Sequence, residues 1–393
     1  MPPASSPPAI ERPAVERPVA DLPLLTGLRF PVALWVVLYH AEKLVVGEGG
    51  YIPVIHHGYL GVDVFFLISG FILAHVYRQR FARGEPGLYR HFVWLRFARV
   101  WPAYAAVLLI AAAVGILRAR WGSGTMQIEP LPYLWEFLRH LAMLQSWGLA
   151  DFEAFNQPGW SLSAEWAAYL SFPLFLFAAN LARTNAARVL AIALSFALLW
   201  LVYRQAGFTD LNQAGGPGMM RLAVEFLSGI LLCALAPVPG RDGRAGDIAV
   251  IAGIAGTAIV LPTLGQRLPL GDVLALPFFA LLVWGAAASG PIARRILANR
   301  AILFLGAASY SIYLVQSPAA APIVAIGKVL GLTTLAAWPQ IAALMSIAAA
   351  LVAGIAVYLL VEQPARAFLR RGRGGATKRP PVEPAAGGRP RAG

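Results

Sequence analysis

Apolar runs of about 20 residues recur along the chain, and no other feature constrains its fold as strongly, because roughly that length of helix crosses a bilayer core of about 30 Å. Ten runs can be marked by length and by flanking turn or charge signals: 24–46, 58–77, 98–117, 160–181, 187–204, 221–237, 247–264, 271–289, 303–326 and 340–361. Of the 393 residues 58% are hydrophobic and only 13% are charged, which rejects a soluble two-domain protein. The expected fold is all-α, a polytopic transmembrane helical bundle over 24–371. A Pro- and Arg-rich tail at 1–23 and a Gly-, Pro- and Arg-rich tail at 372–393 are expected to be disordered. The segment from Tyr133 to Trp147 is too polar for a span and suits the membrane surface instead.

The net charge of +13 speaks to orientation and to anionic partners such as lipid headgroups or phosphate, and no nucleic-acid module is visible. With the amino terminus in the cytoplasm, only eight of the 32 basic residues fall on the outer side: Lys43, Arg118, Arg120, Arg139, Arg204, Arg221, Arg267 and Lys328. The positive-inside rule therefore selects an orientation with both termini cytoplasmic. The single cysteine, Cys233, excludes an intrachain disulfide and a cysteine metal site.

Ionisable groups inside spans are costly to insert and mark candidate chemistry. The first span carries Arg29 and, eleven residues on, His40; that step closes to within about 20° of three turns, so both share one helix face roughly 16 Å apart. Pro31 could rotate Arg29 off that face. Asp63 in the second span and Glu165 in the fourth fall at an outer-half depth similar to that of His40, with Trp160, Ser161 and Ser163 beside Glu165. In the basic loop RQRFARGEPGLYRHFVWLRFARVWPAY, Arg96 and Arg99 are three apart on one face at the start of the third span, a pair suited either to bidentate phosphate binding or to lipid headgroups.

The ordered segments LTGLRFPVALWVVLYH, GYLGVDVFFLISGFI, RVWPAY, PGWSLSAEWAAYLSFP, SYSIYLVQSP and VEQPAR make the chain similar to the acyltransferase 3 family, over roughly residues 22–371. These are bacterial integral membrane enzymes that acylate extracytoplasmic glycans and related small molecules. The resemblance implies a donor such as acetyl-CoA on the cytoplasmic side and a hydroxyl acceptor from the other side. It carries catalysis onto Arg29 and His40 through the Arg-x10-His spacing, and the Trp-Ser-Leu-Ser-x-Glu motif onto Trp160, Ser161, Ser163 and Glu165; Tyr310 of SYSIYLVQSP joins them as a pocket residue. Two positions depart from the family pattern: Gln316 stands where relatives often have histidine, and Pro31 where they have a small apolar residue.

Acyl transfer from a thioester to an alcohol requires a base and oxyanion stabilisation, and no metal or redox cofactor is called for. The expected scheme has His40 take the acceptor proton with Glu165 or Asp63 fixing its tautomer, while Arg29, Arg96 and Arg99 hold the phosphates of acyl-CoA, the co-substrate. Ser69, Ser161 and Ser163 are available for a covalent route, but direct transfer is preferred. The acceptor is expected to be a cell-surface or lipid-linked carbohydrate. From a different class, a proton-coupled transporter or flippase would use His40, Asp63 and Glu165 as a relay, and a scaffold would use them only to join helices.

Overall fold

The computed structural model describes residues 22–45, 52–121, 129–151, 154–236, 243–329 and 339–371. Apart from Leu22 and Pro23, the expected tails lie outside the described residues. Helix α1 (Pro23–Val45) leads through a short α2 (Pro53–His56) into α3 (Gly61–Ala82), and α4 (Leu88–Trp121) returns across the bundle. The amphipathic α5 (Pro130–Leu141) precedes α6 (Gly159–Leu170) and α7 (Phe172–Leu181). Then come α8 (Asn185–Gln205), α9 (Gly215–Leu235), α10 (Gly243–Val260), α11 (Leu276–Ala288), the short α12 (Pro291–Leu297), α13 (Arg300–Val329), α14 (Pro339–Val357) and α15 (Gln363–Arg371).

Nine helices among the described residues are long and apolar enough to cross a membrane, or up to ten if α6 and α7, which meet at a 69° bend, together count as one span. The expected all-α polytopic bundle is thus observed. Large apolar side chains such as Leu174, Phe177, Leu190, Leu194, Ile254 and Val352 face outward, each more than half exposed. In water such a belt would be an aggregation surface; around a bundle of this composition it is the lipid face.

Lipid is as apolar as leucine, so these helices associate through close packing rather than through hydrophobic exclusion. Helices α3 and α9 abut reciprocally: a Cβ on Gly70 would lie 2.1 Å from the Phe226 carbonyl oxygen, and one on Gly229 would lie 2.2 Å from that of Leu67. Helices α1 and α13 meet similarly, Gly306 lying against the Thr26 carbonyl. Pro31 sits inside a helix that runs unbroken from Pro23 to Val45.

The fourth span departs from the uniform helix expected over 160–181. Asn156 Nδ2 donates to the Leu314 carbonyl at 2.9 Å, part-way along α13, so the chain before α6 dips into the bundle. Helix α6 therefore starts deep and ends at Ser171, where Pro173 in the first turn of α7 forces a new direction. The surface segment divides too: α5 presents Leu131, Leu134, Trp135 and Leu138 outward, while His140 is buried and bonded through Nε2 to the Asp151 carbonyl at 2.8 Å.

Candidate functional site

A cavity of about 110 Å³ lies inside the bundle beside the amino-terminal third of α1, bounded by Arg29, Ser69, Arg96, Arg99, Glu165 and Tyr310 among others. Arg96 and Arg99 reach it from one face of α4, as their spacing predicts. Each guanidinium is set against an aromatic ring: Arg29 at 5.9 Å from the Phe65 centroid, Arg96 at 6.0 Å from Tyr77 and Arg99 at 5.8 Å from Tyr310. The Tyr310 hydroxyl donates to the Val100 carbonyl at 2.7 Å, which fixes that ring.

Two carboxylates serve this cavity. Glu165 Oε1 accepts from Ser69 Oγ at 2.6 Å, and Tyr169, one turn along α6, stands against both. Glu362, delivered by a wide π-turn between α14 and α15, is ion-paired with Arg99 and accepts from Ser311 Oγ at 2.8 Å. Arg366 on α15 lies within electrostatic reach of Arg29, Arg96 and Arg99. Among the described residues four guanidiniums therefore stand against two carboxylates, and the buried Nε atoms of Arg29, Arg96 and Arg366 have no hydrogen-bond partner there. Uncompensated cations in a low-dielectric interior are unfavourable unless an anion joins them, and this arrangement suits an anion of about two charges.

His40 is not in the lining of this cavity. Its Nδ1 lies 2.9 Å from the Val36 carbonyl oxygen, with the Gln157 side chain beside the ring and the Tyr39 ring centroid 5.0 Å away. A carbonyl only accepts, so Nδ1 carries the proton and Nε2 is the basic nitrogen. No carboxylate is hydrogen-bonded to His40 among the described residues. The expected carboxylate orienter is replaced by a backbone carbonyl one turn away.

Glu165 is deeper than expected, at the arginines rather than beside His40, because α6 begins inside the bundle. Asp63 is elsewhere again: Arg221 Nε donates to its Oδ1 at 3.2 Å, Arg221 Nη2 is ion-paired with Oδ2, and both side chains are buried. Glu225, one turn beyond Arg221, lies against Asp63. The Trp160 ring supports this pair, with the Arg221 guanidinium 5.6 Å from its centroid, and does not reach the cavity. Ser161 does line the cavity and shares a 2.8 Å hydrogen bond with the Tyr313 hydroxyl. Ser163 is held in a backbone role, donating to the Met143 carbonyl at 2.7 Å and accepting from the Ser146 amide at 3.0 Å.

The family model described as an acyltransferase domain matches residues 23–361, nearly every described element. The chain belongs to this acyltransferase family. It is 35% identical over 163 residues to acyltransferase MdmB of Streptomyces mycarofaciens, covering 39% of each chain. It is 41% identical over 92 residues, 23% of this chain and 44% of the relative, to protein 2 in the picA locus of Rhizobium radiobacter. Similarity to peptidoglycan O-acetyltransferase OatA of Listeria monocytogenes is 25% over 321 residues, 76% of this chain and 49% of the relative. The chain thus spans less than half the length of each of these relatives. No solved structure matches significantly. The chain is thus a multi-pass membrane member of that family.

Two residues beside the cavity, Glu362 through its ion pair with Arg99 and Arg366 by electrostatic reach, carry no expectation of a role, although the VEQPAR segment displays both. A Glu four residues before an Arg at the end of a span was the available signal. Nothing local signalled that Arg221 on α9 would claim Asp63, 158 positions away.

Proposed function

We propose that this acyltransferase moves an acyl group, acetyl in the first instance, from cytoplasmic acyl-CoA to a hydroxyl of a cell-surface or lipid-linked carbohydrate. The observation that carries the proposal is the buried excess of guanidinium groups at the start of α1, set against a histidine of defined tautomer eleven residues further along the same helix. Arg29, Arg96, Arg99 and Arg366 would bind the donor diphosphate, and Glu362 holds Arg99 in place for it. The axial distance of roughly 16 Å from Arg29 to His40 suits a donor whose reactive carbonyl hangs on a long flexible arm.

In the proposed step His40 Nε2 removes the acceptor hydroxyl proton as the oxygen attacks the thioester carbonyl. The C–O bond forms, the C–S bond breaks, and the departing thiolate takes the proton from the imidazolium. The Val36 carbonyl orients the ring throughout. Asp63 and Trp160 hold α3 against α9, and Ser163 holds the 143–146 loop, so none of the three touches a reacting atom in this scheme. A carbohydrate acceptor is supported by the relative named as a peptidoglycan O-acetyltransferase and by the direction of the positive-inside rule, which puts His40 in the outer half.

Acetyl transfer assayed in membranes at matched expression tests this directly. His40→Ala is expected to abolish turnover at an unchanged unfolding temperature, and wild-type turnover in that variant would remove the base. Mass spectrometry of surface glycans with and without the protein is expected to show a lost acyl increment, and transport of a glycan or lipid precursor without acyl-CoA dependence would favour a proton-coupled transporter or flippase instead.

A further inference from the structure

Helix α13 carries two buried polar groups that have no partner among the described residues: the Ser309 hydroxyl and both ends of the Gln316 side-chain amide. Ser309 is 0% and Gln316 3% exposed. A buried amide left unpaired forfeits hydrogen bonds it would make in water, so such a group needs a reason to be there.

Position supplies one. Ser309, Tyr313 and Gln316 are spaced i, i+4, i+7 and form a single stripe on α13, rising roughly 10 Å along the axis. Ser309 and Tyr313 both line the arginine cavity. Helices α1 and α13 pack alongside one another, with Gly306 against Thr26 near their starts and Ile312 clustered with Val37 further along. Counting on from the Gly306 contact, Ser309 stands about level with Arg29, and Gln316 about level with Val36, whose carbonyl holds His40. The stripe therefore runs from the arginines toward the histidine, across the interval that the cavity does not reach.

We propose that Ser309 and Gln316 form a polar track that pairs with the two amides of the pantetheine arm of acyl-CoA and leads the thioester from the arginine cavity to His40. The proposal rests on reading that cavity as the donor-phosphate site. Each pantetheine amide offers one N–H and one C=O, and a carboxamide side chain meets both at once, whereas a carboxylate or an ammonium meets only one. A neutral amide also adds no charge to a lumen that already has cations in excess. Gln316 thus has a use at a position where it cannot move protons: it positions the donor, and the base is His40 alone.

Steady-state acetyl transfer by the full chain, with 3′-phosphoadenosine 5′-diphosphate as a competitor that has the donor's phosphates but no pantetheine arm, separates the two levels. Gln316→Leu and Ser309→Ala are each expected to raise the acetyl-CoA KM about three- to tenfold per hydrogen bond lost. The competitor's inhibition constant should stay as in the wild type. Because neither group has a partner among the described residues, neither substitution should lower the unfolding temperature, and Ser309→Ala, which deletes a single oxygen, keeps the test available should Gln316→Leu fail to fold. An unchanged acetyl-CoA KM in both variants, with the competitor still effective on the wild type, would overturn the track while leaving the cavity assignment standing. A competitor without effect on the wild type would overturn both.

Discussion

Replacing Asp63 with Asn separates a carboxylate that does chemistry from one that holds helices together. Asp63 and Arg221 are 0% and 1% exposed, so the guanidinium has no solvent to turn to when its partner loses charge. Removing one member of a buried ion pair costs about 3–5 kcal/mol, most of it the stranded charge. Here the lower end applies. Glu225 lies against Asp63 and can supply a replacement negative charge, while Arg221 Nη1 keeps its 3.1 Å hydrogen bond to the Gln213 carbonyl. A loss of about 3 kcal/mol corresponds, for a chain of 393 residues, to a fall in unfolding temperature of about 3–4 °C for the purified protein followed by tryptophan fluorescence. Turnover per folded molecule should persist. The double variant Asp63→Leu with Arg221→Met should recover most of the loss, since apolar groups of similar volume replace such pairs at little or no net cost. An Asp63→Asn protein that unfolds at the wild-type temperature and yet has no turnover would refute the reasoning and return the carboxylate to the reaction.

Arg99→Ala should raise the donor KM by about ten- to a hundredfold through loss of a charge-assisted contact, and should also lower stability because Glu362 is left buried without its partner; an unchanged donor KM would remove Arg99 from the phosphate site. Ser163→Ala strands the Ser146 amide and should cost about 1–3 kcal/mol of stability with kcat unaltered, and a selective loss of kcat would make the hydroxyl a reactant. Gly229→Leu would drive a side chain into the Leu67 carbonyl and is expected to abolish folded protein in membranes, measured as the detergent-stable fraction; a normal folded yield would mean that α3 and α9 are not pressed together there.

What the sequence displays and what it conceals divide along one physical line. The apolar spans, the pairing of Arg96 with Arg99 on one face and the placement of Arg29 near a helix start all depend on local periodicity and on about 20 residues of apolar length; both arginine placements are found as expected, while the ten marked spans become nine helices, or ten if the bent α6–α7 pair counts as one. The depth of Glu165 was misplaced because depth was counted from an assumed membrane surface. The hydrogen bond from Asn156 to α13 sinks the start of α6 into the bundle, and Pro173 already marked the break that follows. Partner choice is the least legible, since it depends on which helices become neighbours: the apparent depth of Asp63 and Glu165 makes both carboxylates company for His40, whereas the packing of α3 on α9 gives Asp63 to Arg221 and that of α4 beside α15 gives Arg99 to Glu362. Histidine needed neither carboxylate, because an α-helix offers any residue the carbonyl of the preceding turn. His40 takes that of Val36, and its Nε2 is left as the one nitrogen free to accept a proton. A base oriented this way lacks a buried counter-ion to stabilise its imidazolium. Placing a carboxylate within reach, by Gln157→Glu, is therefore expected to hold the charged form and shift the acid limb of the pH–rate profile downward in rate and upward in pH, and an unaltered profile would mean that position 157 does not face the ring.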